Sequence, residues 1–338
     1  MKKLDVGIIG LGSAGIVAIH RVSMKTQNYL AFEGDQEGTT CARVGCMPSK
    51  ALILIAGKMG SSGRGEIMER VREKRDALVA NVLKRYDPEK VVREWAHFIA
   101  PMTLEAGEEI YRCSSIVIAT GSKPIVPPGW KLVPKKIVTT DTFFELESIP
   151  DSALVIGLGQ VGIELGQALA RIGVKVTGVE MAERIAGVQD PTIEAELVKF
   201  LSRDMELMTR TMAKLNSVDG EVNVTLRRGE WEEKRSYGLV ILATGRRPIL
   251  SPLKLENSGL ELGMGGIPSF DPEILQCGDQ PVFIAGDANG LRPLEHEGED
   301  EGGIAGLNAA AAAAGGELLR NRRRVPAQIT FTDPNVCA

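Results

Sequence analysis

The chain has 338 residues, 43% hydrophobic and 25% charged, so it is long enough for about two domains with a real core, and a disordered tail or a disulfide-stapled miniprotein is excluded. Its 40 basic and 44 acidic residues leave a net charge of −4, with no footprint for nucleic acid. Its 5 cysteines are not a secreted disulfide framework, and no run approaches the ~18 apolar residues of a membrane helix. These features predict a soluble, cytoplasmic protein without nucleic-acid or membrane partners. There are 38 glycines, above the usual ~7%, and without a collagen period. They must serve tight turns or close backbone approaches.

In chain order, residues 4–9 predict a buried strand, Gly10-Leu11-Gly12-Ser13-Ala14-Gly15 a turn, 16–24 a helix, and 29–32 a strand ending at Glu33. This is a βαβ start with an acid about 20 residues beyond the glycines. Residues 66–85 predict a charged helix, and short strands are expected at 96–99, 102–104 and 116–119. The first pattern then recurs: strand 153–156, turn Gly157-Leu158-Gly159-Gln160-Val161-Gly162, helix to about residue 172, and strand 174–179 ending at Glu180. A second repeat is an apolar strand closing on Ala119-Thr120-Gly121 and again on Ala243-Thr244-Gly245. A strand at 282–285 ends in Gly286-Asp287, and a helix at about 299–314 is stopped by Gly315-Gly316. The expected fold class is α/β, with two Rossmann-like three-layer domains. The second, 150–268, is inserted in the first, 1–149 and 269–325, with Pro150 and Pro268 marking the junctions.

Glycines at this spacing turn the chain tightly, let backbone approach a pyrophosphate, and aim a helix N-terminus at its charge. Glu33 and Glu180 are placed to accept from ribose hydroxyls. An acid there repels a 2′-phosphate, so Glu180 favours NAD, while Arg184 keeps NADP open. Two dinucleotide sites in one chain imply electron transfer, naturally between a flavin and a nicotinamide cofactor. Cys41 and Cys46 are either two buried small hydrophobes or a redox disulfide; zinc lacks a second Cys or His pair nearby, and no metal site is expected. Five residues of ideal helix rise ~7.5 Å, more than the roughly 4.4–6.8 Å a disulfide spans, so a disulfide here requires an irregular turn. Gly45 permits one, and Pro48 suits the first turn of a following helix. Cys46 then sits near that helix N-terminus, where its thiolate is stabilised.

The segment Gly38-Thr39-Thr40-Cys41-Ala42-Arg43-Val44-Gly45-Cys46-Met47-Pro48-Ser49-Lys50 resembles the active-site segment of class I pyridine nucleotide-disulfide oxidoreductases. The resemblance is best to the dihydrolipoamide dehydrogenase family and runs over essentially the whole chain, through both Ala-Thr-Gly strands, Gly245-Arg246-Arg247-Pro248 and Phe283-Ile284-Ala285-Gly286-Asp287-Ala288. It implies that Gly10, Gly12, Gly15, Glu33, Thr40, Thr120, Gly121, Gly286 and Asp287 bind FAD. It implies that Gly157, Gly159, Gly162, Glu180 and Gly245 bind NAD. Cys46 would lie against the flavin and Cys41 would exchange with the substrate disulfide. Lys50 would pair with Glu164 near the reactive edge of the flavin. Electrons would pass from a dithiol, dihydrolipoamide or a lipoyl domain, to Cys41–Cys46, FAD and NAD⁺, or in reverse.

Family members end in an interface domain that forms a homodimer and donates a His, oriented by a Glu, to the partner's disulfide. Ile329-Thr330-Phe331-Thr332-Asp333-Pro334 resembles its opening, so residues 326–338 are expected to start that domain, in a truncated form with impaired disulfide turnover and weak diaphorase activity. Loss of a general base costs typically 10²–10⁴ in rate. His20 and His97 are expected to be packing or surface residues, and His296 falls in Pro293-Leu294-Glu295-His296-Glu297, which resembles the family's flavin-contacting segment rather than its catalytic base. Gln160 and Glu295 stand where the family has apolar side chains. The acidic run 295–301 reads as a solvated helix N-terminus, and Arg320 with Arg322–Arg324 as a solvated helix end. The competing readings are a mercuric or glutathione reductase, which share the cysteine layout, and a non-catalytic flavin- or NAD-binding module. A thioredoxin reductase-like enzyme would need a C-x-x-C in the second nucleotide domain, and none exists.

Overall fold

The structure, a computed structural model, describes residues 1–60, 65–320, 325 and 327–337. Its helices are α1 (Ser13–Ser23), α2 (Thr40–Arg43), α3 (Cys46–Met59), α4 (Ile67–Val82), α5 (Thr140–Phe143), α6 (Gln160–Arg171), α7 (Pro191–Leu201) and α8 (Glu295–Ala313). Among the described residues no helix is long and apolar enough to cross a membrane. The chain divides into two compact units. One comprises Met1–Cys41, Val79–Lys123 and Arg247–Arg324, the other Ala42–Leu78, Pro124–Arg246 and Val325–Ala338.

The first unit is built on a sheet whose parallel core is Val91–Val92, Tyr29–Phe32, Lys2–Ile9 and Glu109–Ile118. The long strand Glu109–Ile118 has two partners. Its start pairs antiparallel with Thr103–Ala106, and its end, Ile116 to Ile118, pairs parallel with Val282–Ile284. The strand expected at 116–119 is thus the end of a longer one. Side chains alternate across this sheet, as a period of two requires. Ile116, Ile118, Val282 and Ile284 face one cluster with Phe98 and Leu104. Val117 and Phe283 face the other, with Ala14 and Ala18 of α1 and Ala305 and Ala309 of α8.

Helix α8 starts at Glu295, a turn earlier than its sequence suggests, because the acidic run lies inside it. Only its outer members are solvated. Glu301 is fully buried and Glu297 nearly so; Glu297 accepts from Arg292 at 2.9 Å. The helix ends in a Schellman motif: Gly315 is left-handed at φ +71°, its amide bonds Ala312, and the Gly316 amide reaches back to Ala311 at 2.8 Å. Arg320 lies beyond that end and pairs with Glu273; Arg322–Arg324 fall outside the described residues.

The second unit has a five-stranded parallel sheet ordered Glu206–Met208, Lys175–Val179, Ser152–Ile156, Leu239–Leu242, Ile137–Thr139. One face carries helices: Ala153, Val155, Val176, Leu239 and Ile241 pack with side chains of α3, α4, α6 and α7. The other face is covered by a three-stranded antiparallel meander, Met212–Asp219, Glu221–Arg228 and Trp231–Tyr237, through Val222, Val224 and Leu226. Helix α7 has a legible start. Asp190 caps it, accepting from the Thr192 and Ile193 amides, with Pro191 in the first turn. Those amide bonds hold the Asp190 carboxyl below the usual range.

Cys113 and Cys277 lie buried in the first unit, where burial pushes both thiols up to about 12. At pH 8 such a thiol is a thiolate only about one part in 10⁴, and the thiolate is the nucleophile. Cys46 and Cys337 are exposed and Cys41 is partly buried. Iodoacetamide at pH 8 should therefore modify Cys41, Cys46 and Cys337 in the folded, reduced protein, and Cys113 and Cys277 only on unfolding. Peptide mass spectrometry reads the result.

Candidate active site

Each glycine turn is shaped by the Ala-Thr-Gly strand of its own unit. Gly10 has φ +103°, and a Cβ there would lie 2.4 Å from the Ala119 carbonyl oxygen; Gly157, at φ +93°, stands 2.4 Å from that of Ala243. Gly15 and Gly162 pack on the turn itself, a Cβ on either falling 1.9 Å from the oxygen of Gly10 or Gly157. The middle glycines differ. A Cβ on Gly12 would come no nearer than 3.9 Å to Ala119, and one on Gly159 would meet nothing within 4 Å. Both cap a helix, α1 and α6, with φ/ψ of −71°/−176° and −69°/−175° and no side-chain cap bond. No protein atom within 3.9 Å requires glycine there, so each turn leaves open space at its helix start.

The two acids repeat the same geometry. Glu33 accepts the Leu11 amide at 2.7 Å and the Asp35 amide at 3.0 Å. Glu180 accepts the Leu158 amide at 2.8 Å and the Ala182 amide at 3.0 Å. Each carboxylate ties the strand end to the glycine turn, and oxygens with two acceptor sites retain capacity for ribose hydroxyls. Arg184 is turned elsewhere, donating to the Gln189 carbonyl at 2.6 Å and lying 3.5 Å from Glu194.

In the first unit Thr120 Oγ1 is buried without a hydrogen-bond partner among the described residues, whereas its counterpart Thr244 donates to the Ile125 carbonyl at 2.7 Å. An orphaned buried hydroxyl beside a glycine turn fits a missing ligand. Gly121 is left-handed at φ +68°. Asp287 lies in the turn Gly286–Asn289 and accepts from Ser122 at 2.5 Å. That turn is clamped from behind by Glu301, which accepts the Gly286 amide at 2.8 Å and Asn289 Nδ2 at 2.6 Å. Sequence reasoning missed Ser122 and Glu301. Thr40 opens α2 and is exposed.

In the second unit Gly245, at φ +89°, accepts from the Ile125 amide. Cys46 is the first residue of α3, with Gly45 as its cap and Pro48 in its first turn; Cys41 lies in the separate short helix α2. Lys50, one turn beyond Cys46, meets Glu164 of α6 at 2.6 Å. Glu164 is buried and its other oxygen accepts the Phe331 amide at 2.9 Å. Gln160 donates to the Ile329 carbonyl at 3.3 Å. Glu295 sits in the first turn of α8. His20 and His296 are exposed, and His97 lies 3.0 Å from Glu105 and 3.1 Å from Lys254.

With two such turns and this helix N-terminus, the class is a dinucleotide-dependent disulfide oxidoreductase. Residues 4–314 match the family described as pyridine nucleotide-disulphide oxidoreductase, and the chain belongs to it. It is 29% identical to the dihydrolipoyl dehydrogenase of Bacillus subtilis (strain 168), over 98% of this chain and 76% of that one. It is 28% identical to a mercuric reductase of Staphylococcus aureus, over 98% of this chain and 63% of that one. Its fold matches the HOCl-induced flavoprotein disulfide reductase RclA of Escherichia coli with a TM-score of 0.87 at 21% identity, covering 100% of this chain and 77% of the other. The chain is a flavin-dependent pyridine nucleotide-disulfide oxidoreductase, and members of this family bind FAD and NAD(P). The cleared middle glycines, the orphaned Thr120 hydroxyl and the paired acids fit these two groups.

Proposed function

We propose that this enzyme exchanges electrons between a dithiol, with dihydrolipoamide as the substrate, the Cys41–Cys46 pair, FAD and NAD. The balance is dithiol plus NAD⁺ giving disulfide, NADH and a proton. The flavin supplies two-electron transfer between thiols and nicotinamide. Gly10, Gly12, Gly15, Glu33, Thr40, Thr120, Gly121, Gly286 and Asp287 hold FAD in segments 1–149 and 269–325. Gly157, Gly159, Gly162, Glu180 and Gly245 hold NAD in 150–268. NAD is preferred over NADP because Glu180 repels a 2′-phosphate while Arg184 is engaged with Gln189 and Glu194.

The observation that carries the reading is the 2.6 Å contact between Lys50 and buried Glu164. It brings a cation fixed by a carboxylate to the helix that begins with Cys46. There the helix N-terminus favours the thiolate. Cys41 then attacks or is attacked by the substrate sulfur, and Cys46 passes the electron pair on. A homodimer is the form inferred for the full-length protein.

Two measurements test this. Anaerobic reduction of the FAD-loaded protein by NADH should produce a long-wavelength thiolate-to-flavin band, and Cys46→Ser should abolish both the band and disulfide turnover, by at least about 10³-fold. Lipoamide should exceed glutathione disulfide and Hg(II) in kcat/KM by at least tenfold. A band that survives Cys46→Ser removes the thiol assignment; a preference for Hg(II) or glutathione disulfide removes the lipoamide assignment.

A further inference from the structure

One face of α6 is polar along its whole length: Gln160, Glu164, Gln167 and Arg171 recur at helical spacing. A polar stripe of this kind ordinarily faces water. Here Glu164 and Gln167 are each only 3% exposed. Every member of the stripe bonds the segment 329–333, while Glu164 also meets Lys50 and Gln167 and Arg171 also meet Asp204, at 2.8 and 3.5 Å.

The bonds run in register. Gln160 Nε2 donates to the Ile329 carbonyl at 3.3 Å. Glu164 Oε1 accepts the Phe331 amide at 2.9 Å. Gln167 pairs reciprocally with the backbone of Asp333, accepting its amide at 2.9 Å and donating to its carbonyl at 3.2 Å. Arg171 bonds the Asp333 carboxylate at 2.9 Å. Behind it, Ile329–Thr330 pairs with Val336–Cys337, and Val336 enters the core, so the segment is anchored beyond the stripe as well.

The Phe331 ring faces Lys50, whose ammonium lies 4.5 Å from its centroid. Lys50 is thus held by Glu164 Oε2 at 2.6 Å, by the Ser49 hydroxyl at 3.3 Å and by an aromatic face. The same residue supplies the ring and the amide that fixes Glu164 Oε1. Phe331 is itself 36% exposed, so burying a large apolar side chain does not explain its place.

We propose that residues 329–333 form a positioning strap for the Lys50–Glu164 pair, with Phe331 as the positioning residue for both members and Gln167 setting the strap's register. The proposal rests on reading Lys50 and Glu164 as groups that act on the flavin. A lysine side chain has several freely rotating bonds, and Glu164 Oε2 with the more distant Ser49 hydroxyl leaves the ammonium rotational freedom. The ring removes that freedom, because a cation over an aromatic face is held within ≈ 6 Å of its centroid.

The first test needs no flavin. Apo protein is treated with an amine-specific acylating reagent at fixed pH, and modification of Lys50 is followed by peptide mass spectrometry. Phe331→Leu keeps the amide and deletes the ring. It should speed Lys50 labelling about two- to fivefold, the factor that matches an exposed cation–π contact. Phe331→Tyr should stay within about twofold of the wild type, and Gln167→Ala, which frees the register, should move with Phe331→Leu. Equal rates in the wild type, Phe331→Leu and Gln167→Ala overturn the strap.

The second test uses the FAD-loaded enzyme and reads the flavin midpoint potential in Phe331→Leu, Lys50→Met and the double variant. The shift caused by Phe331→Leu should vanish on the Lys50→Met background, because it acts through that lysine. A shift that persists there, or a nil shift where Lys50→Met alone has one, overturns the strap. If Lys50→Met leaves the potential unchanged, the flavin-side reading of Lys50 fails, and the labelling result alone decides the strap.

Discussion

Gly302→Ala should lower the melting temperature by roughly 6–12 °C, while Gly303→Ala, one residue on, should raise it slightly. Helix propensity alone predicts that both stabilise, since glycine inside a helix costs about 1 kcal/mol relative to alanine. Space decides otherwise. A Cβ on Gly302 would lie 2.1 Å from the Ala14 carbonyl oxygen and 2.7 Å from its Cα, and both atoms are backbone. Helices α1 and α8 would have to separate, and Gly306, whose Cβ would fall 2.7 Å from the Ala18 oxygen, would lose its contact too. Overpacking of this kind costs about 3 kcal/mol or more, equivalent to the stated shift at 2–4 °C per kcal/mol. A Cβ on Gly303 meets only Val17 Cγ1, at 3.6 Å, and Arg21 Nε, at 3.8 Å. Calorimetry of the two apo variants gives the answer, and a Gly302→Ala protein as stable as Gly303→Ala would remove close helix contact as the reason for these glycines.

How legible these features were depends on how local their causes are. The two glycine turns and their acids follow a fixed spacing, because the tight turn, the helix start and the next strand are all neighbours in sequence. The same holds for Gly315-Gly316 at the end of α8, and for Asp190-Pro191, a cap signature carried by neighbouring residues. Gly302 and Gly306 are not legible. Their reason is the backbone of α1, far away in the chain, and the acidic residues before them suggest a solvated run. Glu301 shows the same limit: as a charge it reads as surface, yet in the fold it is buried and accepts from the Gly286 amide and Asn289.

The meander Met212–Tyr237 escaped notice because its strands are charged on the outer face. Trp231–Tyr237 contains Glu232, Glu233, Lys234 and Arg235, and the inward Val222, Val224 and Leu226 lie on its neighbour. The Lys50–Glu164 contact came from family resemblance. No spacing rule joins those two positions, and the burial of the α6 polar stripe depends on a segment still further along the chain.

The second large effect separates ligand space from protein space within one turn. Gly12→Ala should leave the apo protein folded, yet reduce FAD affinity about 100-fold or more. Gly12 has φ −71°, which alanine adopts freely, and its Cβ would keep 3.9 Å from the nearest protein atom. The loss as a helix cap is worth up to about 1 kcal/mol. On the proposed FAD assignment the new methyl instead occupies the space through which backbone approaches a pyrophosphate, and a 100-fold loss corresponds to about 2.7 kcal/mol. Gly15→Ala differs in kind, since its Cβ would stand 1.9 Å from the Gly10 oxygen and break the turn, costing both fold and FAD. The second copy supplies the internal control. Gly159→Ala has open space around its Cβ and should keep FAD while losing NADH affinity to a similar degree. Fluorescence titration of apo Gly12→Ala with FAD, and of FAD-loaded Gly159→Ala with NADH, measures both. Wild-type FAD affinity in a well-folded Gly12→Ala protein would show that the space at Gly12 belongs to no pyrophosphate, and would move the FAD site away from the first glycine turn.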